Sequence, residues 1–197
     1  NLKILTRIYN DLSKKITALF STAVKDIVIE DGKVTGVITD KGDIIEAENV
    51  LLAVGREGSK WLTETFDKYH INMKQNQVDI GVRVECPNMV MEEINENLYE
   101  GKFLFKTSTG STVRTFCSNP GGHVVMENYQ GVVNVNGHSY NDPALSSENT
   151  NFALLVTHHF EEPFKKPNDY ALKVSSLANQ LACGSVLVQR FGDILKG

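Results

Sequence analysis

Most of the short motifs that identify an enzyme directly are missing from this sequence. It contains no Walker loop, no H-E-x-x-H, no C-x-x-C and no Ser-His-Asp order, which leaves NTPase, protease, zinc-site and hydrolase functions without support. Its 3 cysteines are odd in number and far apart, so they form neither a disulfide framework nor a zinc signature. His158 and His159 are adjacent and would face opposite sides of a strand, so no metal site is predicted.

Basic clusters and long apolar runs are also absent. The 20 basic and 24 acidic residues give a formal net charge of −4, which provides no electrostatic reason to expect nucleic acid or an anionic membrane as a partner. No apolar stretch approaches the roughly 18 residues of a membrane span, and the opening "NLKILTRIYNDLSKKI" is amphipathic rather than a signal sequence. We therefore predict a cytoplasmic protein that acts on a small molecule, which the sequence does not identify.

The 197 residues, of which 41% are hydrophobic, are enough for a globular fold with its own core. Apolar residues at helical spacing predict a first helix between Leu2 and Ile16. The next segment alternates and is interrupted at "EDGK" and "DKGD", where glycine suits a tight hairpin turn. Val50 to Val54 are apolar without alternation, which is typical of a strand covered on both faces. These patterns predict three antiparallel strands near 22–30, 33–39 and 43–47 and a fourth strand near 49–54.

Beyond residue 59 the predicted secondary structure is mostly β, with a few helices. Helices are predicted near 60–70, 88–96 and 169–182. Short strands separated by turn residues are predicted in "VDIGVRVECP", "KFLFKTS", "STVRTFCS", "GHVVMENYQGVVNVNGHSY" and "NFALLVTHHF". The predicted class is α+β: a β-meander that leads into a larger sheet, followed by a β-rich mixed domain.

The end of the fourth predicted strand is the first candidate for a binding site. Ala53 and Gly55 leave space at a strand end, and α/β folds bind ligands at the carboxyl edge of a sheet. The alternative is that Gly55 only makes a turn and that the strand end has no ligand.

The order of these segments resembles the middle of the glutathione-reductase-like flavoproteins. More closely, the chain is similar to a group of uncharacterised FAD-dependent dehydrogenases that are labelled NAD(FAD)-utilising. The stretches that carry the resemblance are "FSTAVKDIVIEDGKVTGVITDKGDIIEAENVLLAVGREG", "DIGVRVECP", "VRTFCSNPGGHVV", "GVVNVNGHSY", "NFALLV" and "QRFGDIL".

The resemblance implies an FAD-dependent oxidoreductase and leaves open whether NAD or NADP is a second cofactor. Val24 matches the position whose backbone contacts the adenine of FAD, and Ala53, Val54 and Gly55 match the strand end beside the dinucleotide. Arg56 is next to that strand end and is a further cofactor-binding candidate. The alternative for Val24 is an ordinary core valine, which is compatible with the ligand role.

The element that holds the pyrophosphate of FAD is missing, because the sequence contains no G-x-G. We therefore interpret the chain as the central portion of a larger flavoprotein that lacks both ends of its cofactor domain. Residues 1–58 would belong to the FAD-binding domain and residues 59–197 to a substrate or cap domain, with the remaining parts of the same polypeptide as partners. The isolated chain should then neither bind FAD tightly nor turn over. The rival hypothesis is a non-enzymatic binding or assembly module that retains a flavoprotein-like sheet.

No catalytic residue is assigned, but one stretch supplies candidates. Cys117 would be a reactive thiol if Arg114 or His123 lowered its pKa, and the alternative is a buried structural cysteine. The resembling proteins often carry a second cysteine where Asn119 stands, which argues against a dithiol pair.

Two further features of this half have a functional and a structural interpretation. Gly121 and Gly122 allow a close backbone approach, either to a flavin or to another strand. Arg83 and Arg114 would either face a cleft and hold an anion, or face solvent. The substrate-side residues are expected in 81–84, 114–123 and 189–193.

Overall fold

The computed structural model describes residues 2–74, 76–161 and 166–197. They form two compact units, residues 1–72 and 73–197, which are described separately below. Both units combine antiparallel sheets with a few helices, so the predicted α+β class is confirmed. None of the helices in the described ranges has the length and hydropathy that a membrane span requires.

The first unit is built on a three-stranded antiparallel meander in the order β1-β2-β3. Its strands are β1 (Val24–Glu30), β2 (Lys33–Thr39) and β3 (Ile44–Glu46), in agreement with the three predicted strands. Both hairpin turns contain a glycine with positive φ, Gly32 at 75° and Gly42 at 89°, as the turn sequences predict. Helix α1 (Leu2–Leu12) precedes the sheet and is shorter than the predicted helix.

Helix α2 (Ser59–Lys68) contacts the free edge of strand β1. The indole N–H of Trp61 donates to the carbonyl of Lys25 at 2.9 Å, and the Tyr69 hydroxyl donates to the carbonyl of Ile27 at 3.0 Å. These two carbonyls are two residues apart, so they point to the same side of the strand. The side chains therefore satisfy an edge that would otherwise be open. The compact units divide between residues 72 and 73, so α2 belongs to the first unit, and the division into an FAD-binding domain and a substrate or cap domain stays a prediction.

The fourth predicted strand, near 49–54, is not formed. Residues 49–54 carry no strand structure, and Leu51 is 90% exposed. A β-strand needs a hydrogen-bonded neighbour, and within the described residues the meander ends at β3. The non-alternating apolar composition of this segment predicted a strand covered on both faces, and this prediction was wrong because composition alone does not supply a pairing partner.

The second unit contains a four-stranded antiparallel sheet in the order β4-β9-β6-β5 and a separate hairpin, β7-β8. The bounds are β4 (Val78–Pro87), β5 (Leu104–Lys106), β6 (Thr112–Asn119), β7 (His123–Tyr129), β8 (Val132–His138) and β9 (Asn149–His158). The helices are α3 (Asn88–Asn97), α4 (Pro167–Leu181) and the short α5 (Phe191–Ile194). The β-rich second half and its helices near 88–96 and 169–182 are thus confirmed.

Strand β9 lies at the centre of this sheet, between β4 and β6. It pairs with β4 along its whole length, and Thr150 and Asn151 at its start are fully buried. Its pairing with β6 is interrupted by a register shift between Phe116 and Asn119. This β-bulge redirects the chain at residues 117 and 118 and makes the irregular feature on which the candidate site is built.

Candidate functional site

In the first unit, the predicted cofactor-binding residues Ala53 and Gly55 lie on an open surface. Ala53 and Gly55 are exposed and Val54 is half-buried. Gly55 has a φ of 63°, and no described atom lies within 4 Å of the point where a Cβ would stand. The backbone here is therefore accessible to a ligand. The positive φ also fits a turn, so Gly55 is compatible both with a simple turn and with a ligand-facing position.

A glycine that the sequence reasoning missed explains the shape of this turn. A Cβ on Gly58 would lie 2.5 Å from Cβ of Val54, and the Gly58 N–H donates to the Val54 carbonyl at 3.3 Å. Gly58 is therefore required for close packing against Val54, while Gly55 is required for its backbone conformation. The sequence signal was the glycine directly before helix α2. Arg56 is exposed and lies inside this turn.

Val24 is the first residue of β1 and pairs with Thr39. Its side chain is 39% exposed, so it is not a fully covered core valine. A separate open groove of about 960 Å³ lies along the other end of the meander, beside the end of β1, the start of β2, strand β3 and the segment 47–50. The groove contains both acidic and basic side chains, Glu30, Lys33, Glu46 and Glu48 among them. None of the predicted cofactor-binding residues lines it.

In the second unit, the β-bulge brings Arg83 together with residues that are distant in sequence. The Nε and Nη2 atoms of Arg83 donate to Oδ1 of Asn151 at 2.9 and 2.7 Å. Nη2 also donates to the backbone carbonyl of Cys117 at 2.8 Å. Arg83 is half-buried, and among the described residues no carboxylate forms an ion pair with it. Its charge is therefore held only by neutral acceptors.

The backbone of strand β8 closes over this arginine at Gly137. A Cβ on Gly137 would lie 2.5 Å from Cζ of Arg83 and closer still to Nη2 and to Oδ1 of Asn151. Only glycine allows the strand to pass here without displacing the guanidinium. The sequence reasoning did not single out Gly137, because a glycine within an alternating strand has no local signature of what it packs against.

Cys117 occupies a strained position in the bulge. Its φ is 51°, a region that residues with a side chain rarely adopt. Its N–H donates to Oε1 of Glu100 at 2.9 Å, and its carbonyl accepts from Nδ2 of Asn119 at 2.7 Å as well as from Arg83. Asn119, which stands where a second cysteine was considered, therefore supports the bulge.

The two cations proposed to activate Cys117 have other partners. Arg114 donates to Oδ2 of Asp79 at 2.5 Å and lies over the ring of Phe116, with Cζ 5.2 Å from its centroid. The hydroxyl of Thr157 donates to the other oxygen of Asp79 at 2.6 Å. Arg114 thus forms a cross-strand ion pair on the sheet.

His123, the second cation considered, is bound to a loop instead. Its Nε2 lies 2.9 Å from the carbonyl of Leu145, and its ring is 5.7 Å from that of Tyr140. The structure therefore brings Arg83, and neither Arg114 nor His123, to the backbone of Cys117.

Gly121 and Gly122 make their close approach to protein. A Cβ on Gly121, where φ is 59°, would collide with Oγ of Ser146, and a Cβ on Gly122 would lie 2.8 Å from the carbonyl of His138. Ser147 binds the same turn: its N–H donates to the Gly121 carbonyl at 2.8 Å and its hydroxyl to the Gly122 carbonyl. The interpretation as packing against another strand is supported, and their cofactor-binding role stays a prediction.

Two other kinds of reactive or ligating group were considered within the described residues. Burial, together with the neighbouring Glu85, raises the pKa of the Cys86 thiol. Within the described ranges, no group of histidine, cysteine and acidic side chains is arranged to hold a metal ion. The last substrate-side segment, 189–193, is exposed and leads into α5.

The described residues form a mixed α+β protein with an open turn at Gly55 after a β-meander. The sequence profile of the family described as glucose inhibited division protein A matches residues 4–166, which is most of the chain. The chain therefore belongs to this family of FAD-binding flavoproteins. No curated protein sequence matches it significantly.

Proposed function

We propose that this chain is the central part of an FAD-dependent oxidoreductase, in which the first unit contributes to the FAD site and the second unit shapes the substrate site. The observation that carries the proposal is the family membership across residues 4–166, together with the open backbone at Gly55. FAD supplies the redox chemistry when bound, while the protein binds it, orients it and excludes water. A dehydrogenase that uses NAD or NADP is the finer form of this proposal.

The residues that fit FAD are those whose backbone is accessible in the first unit. Ala53, Val54 and Gly55 lie in an open segment that precedes helix α2 and forms no strand, and Arg56 adds a positive charge beside it. Val24, at the start of β1, offers a partly exposed strand backbone. These groups would contact one side of a dinucleotide. The pyrophosphate would need backbone N–H groups at a helix N-terminus, supplied by a G-x-G-x-x-G segment of the same polypeptide.

The first test is FAD affinity by equilibrium dialysis, comparing this chain with the same chain joined to its natural flanking segments. We expect weak binding by the chain alone and tight binding by the extended protein. Weak binding by both would contradict the proposal and would favour the binding or assembly module. Tight binding by the chain alone would contradict the expectation that the phosphate-binding element lies elsewhere in the polypeptide.

A substitution in the extended protein tests the role of Gly55 directly. Gly55→Val places a branched side chain at a positive φ, in the space that the ligand would use. We expect FAD affinity to fall by about tenfold or more, equivalent to about 1.4 kcal/mol. Gly42→Val is the matched control, because Gly42 also has a positive φ and no described atom within 4 Å of its Cβ position. Equal losses of FAD affinity in both variants would show a general effect of strain rather than a contact at Gly55.

A further inference from the structure

Two short strands, β3 and β5, each have an edge without a neighbouring strand. Strand β3 is the last strand of the meander, and β5 is the last strand of the four-stranded sheet. Every residue of both strands is exposed, and within the described part of the chain each strand is paired on one side only. An open edge is a template for a further strand, so proteins either pair it, cover it or prevent it from pairing.

The hydrogen bonds around β3 show which of its backbone groups point outward. The carbonyl of Asp43 accepts from β2, and the N–H of Ala47 donates to β2, both at 2.9 Å. Alternate residues of an antiparallel pair point their N–H and C=O away from the partner strand. The outward groups are therefore those of Ile44, Glu46 and Glu48. These three residues also line the open groove beside the meander, so their side chains face open space.

The same reasoning applies to β5. The carbonyl of Phe103 accepts from β6 at 3.0 Å, and the N–H of Thr107 donates to the segment before β6 at 2.8 Å. The backbone groups that point outward are therefore those of Leu104 and Lys106, and of Lys102 before the strand. Each edge thus offers three residues with outward N–H and C=O groups.

The two edges carry opposite charges. Glu46 and Glu48 are exposed and form no ion pair within the described ranges, and the same is true of Lys106. Lys102 contacts only Glu100, at a long 3.9 Å. Pairing β3 with β3, or β5 with β5, would place like charges together and destabilise the pair, whereas β3 against β5 places opposite charges together. The charges therefore favour one of the three possible pairings.

An antiparallel alignment of the two strands over their full length brings the outward residues together in pairs. The pairs are Ile44 with Lys106, Glu46 with Leu104, and Glu48 with Lys102. Each pair can exchange two backbone hydrogen bonds, about six in all. The carboxylate of Glu46 lies diagonally between the two lysines, within reach of both long side chains. On the other face Ile45 lies opposite Phe105, and these side chains are 39% and 67% exposed in the single chain.

We propose that β3 of one copy of this chain pairs antiparallel with β5 of a second copy, joining the meander of one to the four-stranded sheet of the other. Each chain carries both edges, so the contact either closes in a dimer or continues into longer assemblies. A contact of two short strands is small, and interfaces below about 1,000 Å² are weak. The association is therefore concentration-dependent, and it weakens as salt screens the charges.

The test uses two charge-reversed variants of the full chain, Lys102→Glu/Lys106→Glu and Glu46→Lys/Glu48→Lys, in analytical ultracentrifugation up to millimolar concentration. In either variant alone, β3 and β5 carry charges of the same sign, so we expect self-association to weaken by about tenfold or more. In an equimolar mixture, each β3 again finds a β5 of opposite charge on the other variant. We therefore expect the mixture to associate as the original chain does.

Two further variants separate the backbone contact from a general effect of charge. Lys173→Glu/Lys196→Glu changes the net charge by the same amount at exposed positions away from β5, and it should associate as the original chain does. Leu104→Pro removes an N–H that points away from β6, which an edge strand tolerates, so the fold should be retained by circular dichroism. Self-association of this variant should weaken by about tenfold or more, because the outward donor and its neighbouring bonds are lost.

An original chain that stays monomeric up to millimolar concentration would overturn the proposal, and would show that the edge lysines only prevent pairing. A mixture of the charge-reversed variants that stays as dissociated as either variant alone would also overturn it. So would self-association of Lys102→Glu/Lys106→Glu at the strength of the original chain. No FAD contact enters this pairing, so the FAD dialysis above would be unaffected and the two proposals can fail separately.

Discussion

Replacing Gly137 with alanine should destabilise the second unit strongly, although the change adds a single methyl group. That methyl would lie 2.5 Å from Cζ of Arg83 and closer to Oδ1 of Asn151, so either the arginine or strand β8 must move. Forcing an extra methyl group into a packed site costs about 1–3 kcal/mol. Leaving the Asn151 oxygen without Arg83 adds a penalty of about 1–3 kcal/mol for an unsatisfied buried group. We therefore expect a loss of about 2–5 kcal/mol, since the two costs add only partly.

The measurement is urea unfolding of the full chain, followed by circular dichroism and by the fluorescence of a probe on the second unit. Gly192→Ala is the matched control, because Gly192 lies in helix α5 with a negative φ and no described atom within 4 Å of its Cβ position. That control should change the free energy of unfolding by less than about 1 kcal/mol. A loss below about 0.5 kcal/mol in Gly137→Ala would refute the close packing of β8 over Arg83. In an Arg83→Ala background the Gly137→Ala cost should shrink, since the clash with the guanidinium is gone.

Two further predictions concern ionisable groups. Burial is the largest single influence on Asp26 and would raise its pKa, but the hydrogen bonds from Lys68, the Ile27 N–H and Tyr69, together with the charge of Lys68, outweigh it, and the pKa lies below the ordinary 3.8. The stabilisation by this carboxylate is therefore present above about pH 4 and is lost as the pH falls further. Asp26→Asn should accordingly lower the free energy of unfolding of the first unit at pH 7. At pH 2 to 3 the variant and the original chain should be about equally stable. A difference in stability that does not depend on pH would contradict this. Cys183 is exposed, whereas burial raises the pKa of Cys86. A thiol reagent at pH 8 should therefore modify Cys183 before Cys86, which mass spectrometry would follow. Comparable rates of modification at the two cysteines would contradict this prediction.

Local patterns in the sequence were sufficient to predict most of the regular structure. The hairpin turns at Gly32 and Gly42 follow from the need for positive φ in a tight turn, which is a property of the residue itself. The strand "VDIGVRVECP" and the helix after Pro87 follow from alternation and from the fixed φ of proline. The resemblance to FAD-binding flavoproteins was also recognisable from the sequence and is confirmed at that level, while the similarity to NAD(FAD)-utilising dehydrogenases stays a prediction.

The predictions that depended on a pairing strand or on a side-chain partner were less complete. The segment 49–54 has the composition of a buried strand but no paired neighbour among the described residues, so it is not a strand here. Arg114 and His123 were natural candidates to act on Cys117 because they are near it in sequence. In the structure Arg114 forms an ion pair with Asp79, and His123 lies within hydrogen-bond distance of the Leu145 carbonyl.

The sequence by itself determined the class of the fold, its turns and its family, because these depend on residues that are neighbours along the chain. Only the tertiary structure decided which residues contact Arg83. Arg83 and Asn151 are 68 residues apart, and they meet because β4 and β9 pair in one particular register. The bulge in β6 and the close passage of Gly137 complete the surroundings of Arg83 from two further segments. Side-chain partners of this kind depend on strand pairing over long separations, which no local pattern encodes.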